Sequence, residues 1–270
     1  MPVLNRFKQA LQAGRPQIGL WSTLPSPYVT ELIAGAGFDW LLLDAEHAPT
    51  DVTGMLQQLQ AVAAARPAND IPVSAVVRPP WNDPVLIKRY LDIGAQNLLL
   101  PFVQTPEEAA AAVAACRYAP QGMRGMGGST RASNFGRDAH YTAHAHEQLG
   151  IFVQVETGDA LERLEAIAAV DGVDGVFIGP ADLSASLGHA RDPAHPQVKQ
   201  AIESAIGRIV RCGKAPGILM ADQARAREYL ALGALFVAVG IDLVLLRAAV
   251  DSSAARFRQG LEGEPSATAY

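Results

Sequence analysis

The sequence predicts an α/β protein built as one closed (β/α)8 barrel, eight parallel strands each followed by a helix. Three observations carry that expectation. Eight short apolar runs recur along the 270 residues. They are continuous rather than alternating, as in strands buried on both faces of a parallel sheet. Each is followed by a segment with helical character, the repeating unit of such barrels.

The runs fall at residues 18–21, 40–43, 73–77, 97–102, 151–155, 175–178, 217–220 and 235–239. Helix starts follow several of them: Ser26, Asp83 and Thr105 each precede a proline, the pairing of an N-cap with proline at the first helical position. Thr105 with Glu108 reads as a capping box. Gly37, Gly94, Gly213 and Gly233 fall where helices should stop. No shift in composition divides the chain, so one domain is expected over 1–258, with a disordered tail at 259–270. An open doubly wound sheet is the alternative, but its glycine fingerprint is missing after the first strand. Two connections are long, roughly 118–148 and 183–195, and such insertions are usually functional loops or subunit contacts.

The net charge is −5 and no basic cluster stands out, which argues against a nucleic acid or a membrane surface as partner. Cys116 and Cys212 are far apart and suggest neither a zinc site nor a disulfide framework. Residues 1–15 are amphipathic with mixed charge and the apolar runs are strand-length, so a soluble cytoplasmic protein is expected.

Barrel enzymes place their chemistry at the C-terminal ends of the strands. Reactive residues therefore matter where an apolar run ends. The first strand ends at Trp21, the second in Asp44, Glu46 and His47, and the third in Arg78. The fifth ends in Gln154 and Glu156, and the sixth in Gly179, Ala181 and Asp182. Glu156 and Asp182 close adjacent strands, so their oxygens can meet at one ion. Two carboxylates without His or Cys suit a hard cation, Mg²⁺ or Mn²⁺, with positions left for a 2-oxo acid and water. The competing reading has Asp182 capping the helix that follows it. Arg78 offers a fixed fork for an oxyanion, or else an ion pair with Glu46 or another barrel-mouth acid. Asp44 can orient and activate the His47 ring, or His47 can be satisfied by a loop carbonyl. His140, His144 and His146 lack such a setting and read as loop histidines. A Schiff-base mechanism needs a lysine at the mouth. Lys8, Lys88, Lys199 and Lys214 fall in the N-terminal segment, in helices or before a strand, so metal-assisted enolate chemistry is favoured.

The segments WLLLDAEHAP (40–49), RPPWNDP (78–84), RYAPQGMRG (117–125) and GVDGVFIGPADLS (172–184) resemble those of the metal-dependent class II pyruvate aldolases. The likeness is greatest to the branch acting on 4-hydroxy-2-oxoheptanedioate, with relatives acting on 2-keto-3-deoxy sugar acids sharing most motifs. It spans about 5–257. The resemblance implies Glu156 and Asp182 as ligands of Mg²⁺ or Mn²⁺, with Co²⁺ possible, and Arg78 as the group stabilising a pyruvate enolate. It implies His47, oriented by Asp44, as the base, and Gln154, Gly179, Ala181 and Asp182 around pyruvate. Asp92 and Trp21 match positions near the site. It also implies a hexamer whose C-terminal helices pack on neighbouring subunits. Ala45, where the family usually has glycine, and the 129–137 segment depart from its pattern. The expected reaction is reversible cleavage of a 4-hydroxy-2-oxo acid to pyruvate and an aldehyde, succinic semialdehyde for the heptanedioate. Arg124 or Arg131, in its own or a neighbouring subunit, is expected to meet that aldehyde's carboxylate. An acyl-CoA ester lyase lacks a basic cluster for the phosphates, and a silent scaffold leaves the strand-end set unexplained.

Overall fold

The computed structural model describes residues 4–67, 71–190, 192 and 194–261. Eight parallel strands close a barrel of the TIM type in sequence order, the last pairing with the first. They are β1 (Gln17–Ser22), β2 (Trp40–Asp44), β3 (Ser74–Arg78), β4 (Asn97–Leu100), β5 (Gly150–Val155), β6 (Gly175–Ile178), β7 (Ala215–Leu219) and β8 (Phe236–Ile241). Every expected strand is present to within two residues at each end. The helices are α1 (Arg6–Gln12), α2 (Pro27–Ala34), α3 (Val52–Ala64), α4 (Pro84–Asp92), α5 (Pro106–Cys116), α6 (Tyr141–Gln148), α7 (Gly158–Glu162), α8 (Leu164–Ala168), α9 (Pro180–Ser186), α10 (Pro196–Arg211), α11 (Gln223–Ala231) and α12 (Asp242–Leu261).

Side chains of a strand alternate between its faces, and in a closed barrel one face is the interior. Trp40 and Leu42, Val76, Leu99, Phe152, Phe177, Phe236 and Ala238 turn inward and pack on one another. The intervening Leu41, Leu43, Val77, Leu98, Val153, Val176 and Val237 turn outward under the helices. The interior is an aromatic stack: Phe152 lies 5.0 Å from Phe236 and Trp40 5.9 Å from Phe236, ring centre to ring centre. Glycines make room for it. A methyl group on Gly19 would stand 2.2 Å from the Trp40 ring, and one on Gly217 2.3 Å from that of Phe236.

The N-terminal end of the barrel is plugged by α1. Its Phe7 inserts among Trp40, Phe152 and Phe236 at 5.5 to 6.0 Å. Asn5 caps that helix through Lys8 N–H and also donates to Asn97 Oδ1 at 2.7 Å, tying the plug to β4.

The helix ends follow the expected chemistry. Ser26, Asp83 and Thr105 accept from N–H groups of the first turn, each cap contributing about 1 kcal/mol. Glu108 reaches back one residue further than a capping box requires, accepting from Gln104 N–H at 2.7 Å. Gly37, Gly94, Gly213 and Gly233 take φ of 93°, 94°, 70° and 104°, the left-handed stop that favours glycine. The last helix runs to Leu261, past the barrel boundary expected at 258, and the remainder of the expected tail, 262–270, lies outside the described residues. Among the described residues no helix is long and apolar enough to cross a membrane.

Overpacking the interior should be felt in stability. Gly217→Ala is expected to cost about 1–3 kcal/mol and to lower the melting temperature by about 2–4 °C for each kcal/mol, read by calorimetry. An unchanged melting temperature would mean that the aromatic stack yields without cost.

Candidate active site at the C-terminal end of the barrel

The inward alternation that places Trp40 and Leu42 also turns Asp44 inward, two residues on. Likewise Val76 is followed by Arg78, and Phe152 by Gln154. Asp44 and Arg78 are direct register partners on adjacent strands. Arg78 grips Asp44 with two parallel bonds, Nε to Oδ1 at 2.9 Å and Nη2 to Oδ2 at 2.7 Å. Both are almost fully buried, at 5% and 2% exposure. The Trp21 indole N–H donates to Asp44 Oδ2 at 3.2 Å, and the Arg78 guanidinium lies 4.6 Å from the centre of the Trp21 ring. Burial alone would raise the Asp44 carboxyl; the bonds and charge of Arg78, with the Glu46 N–H and Trp21, hold it below the usual range.

Arg78 Nη1 also stands 2.7 Å from Glu46 Oε2, though out of line for a hydrogen bond. The competing expectation for Arg78, an ion pair with Glu46 or another acid of the mouth, is thus what the structure shows, with Asp44 as the hydrogen-bonded partner. Burial pushes Glu46 up, against the lowering effects of Arg78 and His47, with Asp44 and Asp182 adding to the rise.

The expected pairing of Asp44 with the His47 ring is not formed. Asp44 Oδ1 instead accepts the backbone N–H groups of Glu46 at 3.0 Å and His47 at 3.4 Å, folding the loop that leaves β2. The His47 ring points outward, 67% exposed, with Nε2 3.9 Å from Glu46 Oε2. The physical reason is saturation: both Asp44 oxygens are already held by Arg78 and Trp21.

A second cluster lies across the mouth. Glu156 is buried, accepting at Oε1 from Phe102 N–H at 2.9 Å and at Oε2 from Gln154 Nε2. It sits against Gly179: a methyl group there would be 2.4 Å from Glu156 Oε2. Burial pushes Glu156 up to about 7, with Asp182 and Glu46 adding to the rise and the bonds from Gln154 and Phe102 opposing it. Asp182 lies in the first turn of α9, is exposed, and makes no cap, since Gly179 occupies the N-cap position without a side-chain bond. The capping alternative for Asp182 is therefore not seen. Ala181 is exposed beside it.

The donors fit a hard cation. Glu156, Asp182 and Glu46 repel one another, and Gln154 Oε1 is a buried acceptor without a partner among the described residues. All are oxygens. Among the described residues no three His, Cys, Asp or Glu side chains are grouped as a closed metal cage, so two carboxylates would leave positions open for substrate and water.

Phe102 ends the fourth apolar run in the sequence, where no role was expected of it. It adopts φ of 53° just beyond β4, a left-handed conformation costing a non-glycine residue roughly 1–2 kcal/mol. Its ring stacks on Trp81 at 5.5 Å and 29°, a contact contributing about 0.5–1.5 kcal/mol. Asp242 was also missed: at the start of α12 it accepts from Ser22, Thr23 and Leu24, fastening the loop after β1 to the end of β8. Neither position carries a sequence motif; Asp242 is findable only as one more strand-end acid.

The structure removes Arg124 from the mouth of its own barrel. Helices run opposite to the strands, so the segment between α5 and β5 lies at the N-terminal end of the barrel, away from the mouth. There the Arg124 side chain is fully buried, bonded to Asp92 at 2.7 Å and Tyr141 at 3.4 Å and stacked on Tyr118 at 4.5 Å. It does not reach the site of its own barrel, nor does Asp92. Arg131 is likewise engaged, by Ile93 O at 2.8 Å. His140 and His144 are exposed in this region, as expected. Lys8 and Lys214 bond Asp174 and Val173 O at the same end, while Lys88 and Lys199 are helical, so none reaches the mouth.

Comparison with known proteins places the barrel in a family. A Klebsiella pneumoniae protein named 4-hydroxy-2-oxo-heptane-1,7-dioate aldolase is 57% identical over 254 residues, 94% of each chain. A crystal structure of an HpcH/HpaI aldolase/citrate lyase family protein from Burkholderia cenocepacia is 40% identical, with a TM-score of 0.89 over 94% of this chain and 99% of that one. The structure of an HpcH/HpaI aldolase from Desulfitobacterium hafniense is 29% identical, with a TM-score of 0.81 over 97% and 98%. The family model described as HpcH/HpaI aldolase/citrate lyase matches residues 17–249, from the first strand into the last helix, and the chain belongs to that family of carbon–carbon lyases.

Proposed function

We propose that this chain is a divalent-metal-dependent aldolase that cleaves 4-hydroxy-2-oxoheptanedioate reversibly to pyruvate and succinic semialdehyde. The observation that carries the reading is the inward strand-end set: a buried Glu156 seated on Gly179, with Asp182 beside it and Arg78 on the facing strands. The substrate rests on the named activity of the 57% identical relative.

Glu156 and Asp182 would hold Mg²⁺ or Mn²⁺, Co²⁺ being a further fit, and the ion when bound supplies Lewis acidity to the keto oxygen of a chelated 2-oxo acid. Gln154, Gly179 and the first turn of α9 at Ala181 and Asp182 flank the pyruvate half. The His47 ring, exposed and paired with Glu46 rather than Asp44, takes the proton of the 4-hydroxyl group. The C3–C4 bond then breaks, the aldehyde leaves, and the bonding electrons remain as pyruvate enolate. Arg78, aligned by Asp44 and Trp21, stabilises that charge as it develops. A proton returned to C3 gives pyruvate.

We also infer self-association, as a hexamer in the family it resembles. The support is α12, which leaves Leu243, Val244, Leu245, Leu246, Val250 and Phe257 between 42% and 76% exposed in the single chain.

Exhaustive chelation should abolish pyruvate release from 4-hydroxy-2-oxoheptanedioate in a coupled assay, and added Mn²⁺ should restore it; full activity in the stripped protein would overturn the metal role. Gly179→Ala should lower kcat by at least about 100-fold through displacement of Glu156, beyond an overpacking cost of about 1–3 kcal/mol in stability, the assay being run well below the melting temperature. Wild-type turnover would show that Glu156 needs no such seat. Arg78→Ala strands the buried Asp44 charge and is expected to cost about 3–5 kcal/mol. Arg78→Lys, which keeps the charge but loses the fork, is the cleaner probe: kcat should fall sharply while KM moves little, and an unchanged kcat would remove Arg78 from the chemistry.

A further inference from the structure

Two successive N–H groups beyond β4 serve the end of β5. Phe102 N–H donates to Glu156 Oε1 at 2.9 Å, and Val103 N–H donates to Gln154 O at 3.1 Å. The first of these bonds is made from a left-handed backbone, φ 53°, at a residue whose side chain disfavours it. Phe102 is not held there by core packing, because its ring is 40% exposed. What lies against that ring is Trp81, itself 51% exposed, from the loop that follows Arg78.

We propose that Trp81 is a positioning residue for Glu156, acting through Phe102. The stack offsets a backbone strain of its own size and so keeps the Phe102 N–H on the carboxylate. Without the stack, Phe102 relaxes toward extended backbone and its N–H leaves Oε1. Glu156 then keeps only the Gln154 bond, on its other oxygen, and the carboxylate is free to turn away from the cation. The aromatic pair thus links the loop that follows Arg78 to the side of the mouth that carries Glu156. The proposal rests on the reading of Glu156 as a cation ligand.

The test is the Mn²⁺ dissociation constant, by calorimetry and water-proton relaxation, for wild type, Trp81→Ala, Trp81→Phe, Phe102→Gly and the double variant Trp81→Ala/Phe102→Gly. Trp81→Ala should bind Mn²⁺ about five- to tenfold more weakly, whereas Trp81→Phe, which keeps a stacked ring, stays near wild type. Glycine takes positive φ without strain, so Phe102→Gly should stay within about twofold of wild type. The double variant should then recover most of the affinity that Trp81→Ala loses. A Trp81 that only packed against substrate or supported the loop would not be rescued by removing a second ring. Wild-type Mn²⁺ affinity in Trp81→Ala, or a double variant no better than the single one, overturns the proposal alone. A wild-type protein that binds no Mn²⁺ overturns the ligand reading of Glu156 and Asp182, and this proposal with it.

Discussion

The alternation of side chains along eight strands closed into a ring is the constraint on which everything else depends. Closure forces every second residue of each strand into one interior. At the lower levels that interior must be apolar and full, and Trp40, Phe152, Phe177 and Phe236 fill it only because Gly19, Gly175 and Gly217 surrender their side-chain volume. At the top level the same inward positions lie just beneath the mouth, and there the chain places Trp21, Asp44, Arg78 and Gln154, all still buried. The site is the uppermost layer of the core, where Trp21, Asp44 and Arg78 satisfy one another by hydrogen bonds. Trp21 joins the two, its ring 5.5 Å from Phe177 below and its N–H on Asp44 beside it.

Charge at the mouth is deliberately unbalanced. Of the four carboxylates Asp44, Glu46, Glu156 and Asp182, Asp44 and Glu46 interact with the guanidinium of Arg78, which spends two of its N–H groups on Asp44. Asp44 is therefore satisfied and held low, while Glu156, farther from that cation and buried, is driven up to about 7. A buried carboxylate with no positive partner is costly, and a bound cation is the simplest means of relieving it. The same imbalance explains why Arg78 is fixed by Asp44: a guanidinium anchored on one side presents its remaining edge to a developing oxyanion without first having to be ordered.

The barrel was legible because its strands are buried on both faces and so read as plain apolar runs, and because caps and stop glycines have strong local causes. The strand-end rule found Asp44, Arg78, Gln154, Glu156 and Gly179 for the same reason. What it could not supply was direction in the loops. Asp44 and His47 are three apart, yet the first is the last inward residue of β2 and the second belongs to the loop, so their side chains diverge. Of the two settings expected for Arg124, its own mouth or a neighbour's, chain direction alone removes the first, since α5 runs down before that loop begins. Phe102 was invisible because a left-handed conformation at a non-glycine residue leaves no mark in the sequence; it follows from contacts with Glu156 and Trp81, which come from two other strands' loops.

As the proposed ligands, Glu156 and Asp182 are unlike, and the difference bears on how such a site would work. Glu156 is 2% exposed and bonded at both oxygens, so little order remains to be imposed on it. Asp182 is exposed, with no bond holding it into the cap of α9. On the proposed ligand reading, a cation arriving from solvent would meet the exposed carboxylate at the rim before the buried one beneath it. The buried member would then set the geometry, and the exchange of ion and water would be left to the exposed one. Fixing both would raise affinity while slowing exchange; freeing both would require the ion to order two side chains at once. Gly179 is what permits this arrangement, since any side chain there would lift Glu156 from its seat and remove the fixed half of the pair.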